Sequence, residues 1–268
     1  MRKKIALFVV LSLILTIIPG GPLIAADSGI GTLNQAVQAA WSVNSQSAAD
    51  VAQANTTALN VADTVIDLDF AQAKVASLET EEAMLKQQAD QADMEFKMGK
   101  IDARTLDSWR QEVTQNKFDL NFQQMKVDNG KKEFQKLTGQ AIAPDFDYQA
   151  AYLITDAGKL SLPPSADQTQ EKQLNDAIVA FSNLGNLIAD YIKAGDKLNQ
   201  TENDFKTGKA GQADLESAQA DKEKARINAL EGKADYSKLL YGLDCSLQGD
   251  ISRTLKKLPN PIFRSSSN

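Results

Sequence analysis

Apolar side chains recur along most of this chain at spacings of three and four, the repeat that lines one face of an α-helix. From Thr32 to Met98 neither Pro nor Gly interrupts, and Leu78, Leu85, Ala89, Ala92 and Phe96 fall near heptad positions. An unbroken helix of that length would span on the order of 100 Å. Residues 58–75 are richer in β-branched side chains and mark the expected place for a bend or a short non-helical passage. Gly99-Lys100 then breaks the pattern, and Asp102 or Thr105 can cap a new helix. Along it Leu106, Trp109, Val113, Asn116, Leu120, Gln123, Val127, Gly130, Phe134 and Leu137 alternate steps of three and four. Phe118, Phe122 and Met125 form a second stripe beside the first. Two stripes on one helix imply two packing neighbours, as in a bundle or a helical barrel.

The sequence KLTG at 136–139 ends this helix, with Gly in the position that terminates helices by turning left-handed. Pro144, Pro163 and Pro164 exclude continuous helix over 140–167, an irregular connector in which 148–154 and 159–162 are candidate short strands. The helical pattern resumes near Thr169 and runs through Leu174, Ile178, Phe181, Leu184, Ile188, Tyr191, Leu198 and Phe205. Gly208-Lys209 breaks it, a further helix starts near Ala213, and KLLYG at 238–242 provides a second stop.

The chain is therefore read as all-α, two tandem copies of a long antiparallel helical hairpin. EFKMGKIDARTL (95–106) and DFKTGKAGQADL (204–215) align at an offset of 109, while Lys136-Leu137 and Lys238-Leu239 align at 102. A loss of seven residues, two helical turns, keeps the apolar face in register, as an internal repeat requires. The boundaries are a first hairpin over 27–139, the connector over 140–167, a second hairpin over 168–243, and a loosely ordered tail over 244–268.

Residues 1–26 change the setting. Arg2, Lys3 and Lys4 precede an apolar run from Ile5 to Ile18, Pro19 and Gly20 break it, and Ala25-Ala26 offers a cleavage site. This is the pattern of a secretory signal peptide, in a run short for a membrane span of roughly 20 residues. Its removal takes three positive charges from a chain of net charge −6. The exported part is acidic and has no basic cluster, which argues against nucleic acid as a partner. The 268 residues include no His and one Cys. His-based triads, His metal sites and Cys-cluster metal sites are excluded, and no Walker loop, Rossmann glycine pattern or EF-hand loop is present. No catalytic, cofactor or metal site is expected, and Cys245 is expected to be an inert buried thiol.

The two F-K-x-G-K…L turns, the KLTG stop about 40 residues after the first, the duplication and the opening LNQAVQAAWSVNSQ (33–46) resemble the TolC family of outer-membrane efflux proteins. The resemblance covers most of residues 31–243. It implies a homotrimer whose hairpins form a helical tunnel, with the Gly turns at the periplasmic tip where the family meets a membrane-fusion adaptor and an inner-membrane pump. The tip positions it assigns are Phe96, Gly99 and Leu106, with Phe205, Gly208 and Leu215. Of the acids that often constrict the closed entrance in this family, only Asp214 falls at such a place. The family also inserts a pair of barrel strands in each repeat. Transmembrane strands need about 9–11 alternating residues with aromatic girdles, and aromatics here are 6% of the chain with no such pair. Two readings follow: a passive efflux conduit that docks an adaptor and pump, or a non-channel envelope scaffold or spacer built from the same hairpins. Contact with the membrane is left open.

Overall fold

The structure, a computed structural model, describes residues 29–44, 50–153 and 155–247. The expected signal peptide and nearly all of the expected tail lie outside the described residues. Five α-helices account for most of the rest: α1 (Leu33–Val43), α2 (Val51–Lys97), α3 (Ala103–Thr138), α4 (Gln168–Lys206) and α5 (Gln212–Ser246). At 1.5 Å per residue the 47 residues of α2 extend for roughly 70 Å. At four of the five N-termini the N-cap residue's own side chain accepts from the first-turn amides. Thr32 and Asp167 make reciprocal boxes with Gln35 and Gln170, and Asp50 and Asp102 accept from the first-turn amides.

The helices lie side by side in the order α3, α2, α5, α4, with α1 across the base of α2 and α3. The predicted series along α3 is its packing face: Leu106, Asn116, Leu120, Gln123, Val127 and Phe134 are buried, and Trp109, Val113, Gly130 and Leu137 half-buried. The largest core fills the end away from the two turns. There Ala54, Ala58 and Ala62 of α2 are fully buried, as are Val61, Val65 and Ile66. Small side chains at i, i+4 and i+8 let neighbouring elements approach closely, and each buried Val or Ile contributes up to about 2 kcal/mol by apolar burial.

Three expectations are corrected. Residues 58–75 are helical throughout, because this stretch of α2 is enclosed at the base and packing overrides its β propensity. Earlier in the chain α1 ends at Val43 with the non-helical Asn44 as its C-cap, and α2 starts at Val51 after the extended Asp50. The connector forms two short 3₁₀ turns, Gln149–Ala151 and Ala157–Lys159, instead of strands. Ile142 makes only an isolated parallel bridge with Ile30, and the described residues contain no other strand pairing. Gly242 does not stop the last helix, which continues to Ser246, whereas Gly139 does stop α3 with φ +73°.

The connector is tied down by specific contacts. Phe146 meets Phe134 edge-on with ring centroids 6.2 Å apart and Tyr148 at 4.9 Å. The Ser237 hydroxyl accepts from the Leu153 amide and donates to the Leu153 carbonyl, both at 3.1 Å. The Tyr241 hydroxyl donates to the Ala151 carbonyl at 2.8 Å. The Tyr152 hydroxyl reaches Asp69 at 2.7 Å. These bonds tie the segment joining the two hairpins to α2 and α5.

Candidate functional site: the paired hairpin tips and the hairpin edges

Both turns close in the same way. Gly99 has φ +70° and Gly208 φ +74°, left-handed values that a side chain resists. The Gly99 amide donates to the Phe96 carbonyl at 2.9 Å, and the Lys100 amide to the Glu95 carbonyl at 2.9 Å. In the second turn Gly208 donates to Phe205 at 3.0 Å and Lys209 to Asp204 at 2.8 Å. This double bond pattern is a Schellman motif, and it gives each repeated letter a position. The acid and Phe supply the two accepting carbonyls, Gly takes the left-handed residue, and the second Lys supplies the outer amide.

The helices that leave the turns are capped differently. Asp102 accepts from the Thr105 amide at 2.8 Å and the Thr105 hydroxyl at 2.9 Å. These bonds hold its carboxyl below the usual carboxylate range. Gly211 has no side chain to offer, and the carboxylate of Asp214 instead accepts from the Gly211 amide at 2.8 Å. Asp214 is thus exposed on the first turn of α5 and acts there as a cap. Beside the first tip, Asp93 pairs with Lys97 at 2.5 Å and with Arg110 across the hairpin at 3.4 Å. The bond to Lys97 leads in keeping the Asp93 carboxyl low.

The structure sorts the six tip positions by exposure. Leu106 is buried and Leu215 half-buried, so these two hold the turns together. Phe96 and Phe205 are 41% and 40% exposed, close matches on the two tips. Sequence reasoning missed Met94 and Met98, which enlarge the apolar surface of the first tip. Each lies two residues from Phe96 and four from the other, a spacing concealed within a segment read only for its packing face.

The tips are staggered. Between the hairpins, Gln88 donates to Glu216 at 3.5 Å, and the Lys238 ammonium pairs with Asp67. In these antiparallel contacts the residue numbers total 304 and 305, which brings the middle of the second turn (209) level with residues 95–96. The first tip therefore projects beyond the second by four or five residues, roughly 6–8 Å.

The outer helices carry exposed apolar stripes. On α3 these are Phe118, Phe122 and Met125; on α4 they are Ile178, Ile188 and Ile192. The α3 stripe was legible as a second face, and its second neighbour is not supplied by this chain. Phe181 and Tyr191, read from the same α4 periodicity, are half-buried. Cys245 is half-buried, and burial pushes its thiol up. Among the described residues no cluster of acids and Cys has metal-binding form, and no helix is long and apolar enough to cross a membrane.

By sequence, no family model and no curated protein matches this chain. By structure it is similar to the outer-membrane channel CusC, at TM-score 0.59 and 12% identity over 81% of this chain and 91% of that one. The Campylobacter jejuni CmeC outer-membrane channel matches at TM-score 0.51 and 11% identity, over 87% of this chain and 72% of that one. A Pseudomonas aeruginosa membrane protein matches at TM-score 0.50 and 14% identity, over 80% and 70%. The chain has the helical fold of TolC-like outer-membrane channels, without strands among its described residues.

Proposed function

We propose that this protein is a TolC-like export component of the bacterial envelope, a passive conduit that docks a pump complex through its hairpin tips. The observation that carries this reading is the pair of like-built tips, each presenting a partly exposed Phe beside a left-handed Gly at the same end of the bundle. The fold shared with outer-membrane channels supports the same assignment. Three copies would close the hairpins into a tunnel, and the signal peptide would deliver the chain to the periplasm or outer membrane. A membrane-fusion adaptor linked to an inner-membrane pump would meet Phe96, Phe205 and the Gly turns, with Leu106 and Leu215 bracing them from within. In such a trimer three copies of Asp214 would stand at the entrance as its constriction. No step in this reading is catalytic. Photo-crosslinking residues placed at 96 and 205 in producing cells test it. An adaptor subunit captured from both positions is the expected result, and capture of no envelope partner from either would refute docking.

A second reading, an envelope scaffold or spacer, is favoured by one observation. Only seven residues separate Val43 from Val51, far fewer than the roughly 20 that a strand pair needs. Reconstitution into lipid separates the two: a conduit gives a discrete conductance, and a spacer gives none.

A further inference from the structure

The two hairpins meet along the seam between α2 and α5, and that seam is filled unevenly. At the base Val61, Val65 and Ile66 of α2 are fully buried, in one core with Tyr236, Leu240 and Tyr241 of α5. Midway along, the facing positions carry Ala76, Ser77 and Thr80 on α2 and Ala220 on α5, side chains too short to fill the space between two helices. A cleft of about 1010 Å³ remains there, near the top of the range for small-ligand sites. Tyr191 and Leu198 of α4 close its side. Contacts between the hairpins bound it at both ends, Lys238 with Asp67 towards the base and Gln88 with Glu216 towards the tips. The lining stretch of α2, residues 74–84, covers about 15 Å. A space stopped at both ends suits a discrete molecule better than a helix laid lengthwise.

The walls and the charges around them differ in chemistry. Leu78, Met84, Leu198 and Ile227 give the cleft apolar surface, Leu198 and Ile227 being buried and the other two half-buried. Two of the lining acids are already neutralised. Lys197 reaches Asp221 at 2.6 Å, and Arg226 donates to both oxygens of Glu223 at 2.8 Å. The bond to Arg226 leads in holding the Glu223 carboxyl below the usual carboxylate range. The lining cations Lys74, Lys222 and Lys224 form no ion pair with any described residue, and Lys74 rests over the Phe70 ring at 5.7 Å. Against these three stands Glu81, exposed on the rim. Lys222 is half-buried and crosses α4 at Gly195, where a Cβ would meet its Cε at 4.0 Å. The bare glycine leaves room for the lysine stem to lie along the wall.

We infer that the cleft between the hairpins binds an amphipathic organic anion, with its apolar skeleton against Leu78, Met84, Leu198 and Ile227 and its head group at Lys222. Charge complementarity selects the sign of the ligand. Unpaired ammonium groups gather at this one cleft in a chain of net charge −6, which becomes more negative when residues 1–26 are removed. An organic cation would be drawn to the acidic surface at large, and inside the cleft it would find Asp221 and Glu223 already occupied. Apolar burial supplies the affinity and the lysine supplies the selectivity. The site lies within one chain, so it goes beyond the conduit reading and is the same in a conduit and in a spacer.

The test is isothermal titration of the full exported chain with three amphiphiles that share a twelve-carbon chain and differ in head charge. They are dodecanoate, dodecyltrimethylammonium and dodecyl maltoside, each kept below its micelle concentration. The expected result is saturable binding of one dodecanoate per chain, about tenfold tighter than either of the others. Lys222→Gln is expected to weaken dodecanoate about tenfold, through loss of one charge-assisted contact, and to leave dodecyl maltoside unchanged. Thr80→Trp, at an exposed lining position, fills the cleft and is expected to abolish dodecanoate binding with the helical circular dichroism unchanged. Equal binding of all three amphiphiles, or tighter binding of the cation, overturns the inference, because it marks adsorption to any apolar or acidic surface. No saturable binding of dodecanoate overturns it, as does binding that survives either substitution unchanged. None of these results bears on assembly or docking, so the conduit reading stands or falls by its own experiment.

Discussion

Replacing Asp63 by Asn should stabilise the base of the bundle at neutral pH and lose that advantage in acid. One carboxylate oxygen of Asp63 is buried without a hydrogen-bond partner. Its carboxyl is pushed up from 3.8 to about 6, first by burial. Lys238 on α5 pulls it down, but that ammonium also pairs with Asp67, whose own charge raises Asp63 further. Tyr241 and Asp244 of α5 also face this region, and Tyr241 is itself raised, first by burial. Because the folded value lies above the unfolded one, the folded state holds the proton through this window. The stability from Asp63 is complete below about pH 3.8 and is lost as pH rises through about 6. Two units correspond to about 3 kcal/mol, and screening at a half-buried site reduces that to about 1 kcal/mol. With a urea slope of roughly 2–3 kcal/mol/M, the midpoint of Asp63→Asn should rise by about 0.3–0.5 M at pH 7.5. At pH 4 the two proteins should unfold together. Urea titrations at both values and one fixed protein concentration decide the matter. An equal shift at both pH values, or a destabilised variant at pH 7.5, would refute the argument from burial.

Three further outcomes are expected. Asn116→Leu should hold or raise the melting temperature in differential scanning calorimetry, because both polar atoms of this buried side chain lack partners and an apolar replacement removes an uncompensated desolvation cost of about 1 kcal/mol or more. Gly99→Ala and Gly208→Ala should each cost about 1 kcal/mol in urea unfolding, since the left-handed φ penalises a Cβ although nothing lies within 4 Å of it. Phe134→Ala should cost about 3–5 kcal/mol in the same assay, because its side chain is fully buried and its ring packs on Phe146.

The parts of the fold legible in the sequence are those where local chemistry and packing agree. The face of α3 from Leu106 to Leu137 follows one helical period, and Gly99, Gly139 and Gly208 all adopt the left-handed φ that ends a helix. Gly242, like Gly139, follows a Lys-Leu pair, but it lies within α5, beside the fully buried Ser237 and Leu243 that hold the helix against the connector. The continuity of α2 through its β-branched stretch depends on the surrounding core, which no local propensity reports. At the candidate site, the repeated letters marked the turns but not their stagger. That offset comes from two inter-hairpin contacts, Gln88 with Glu216 and Asp67 with Lys238, between residues far apart in the chain. The orphaned oxygen of Asp63 was equally hidden, since an Asp on a long helix has no signature of burial until the neighbouring helix is in place.

End-on electron microscopy of the purified exported chain tests the central claim most directly. Three copies of the four long helices should appear as one closed ring of twelve, with an open channel along its axis. Single bundles of four long helices, or pairs related by a two-fold axis with no channel, would contradict the conduit.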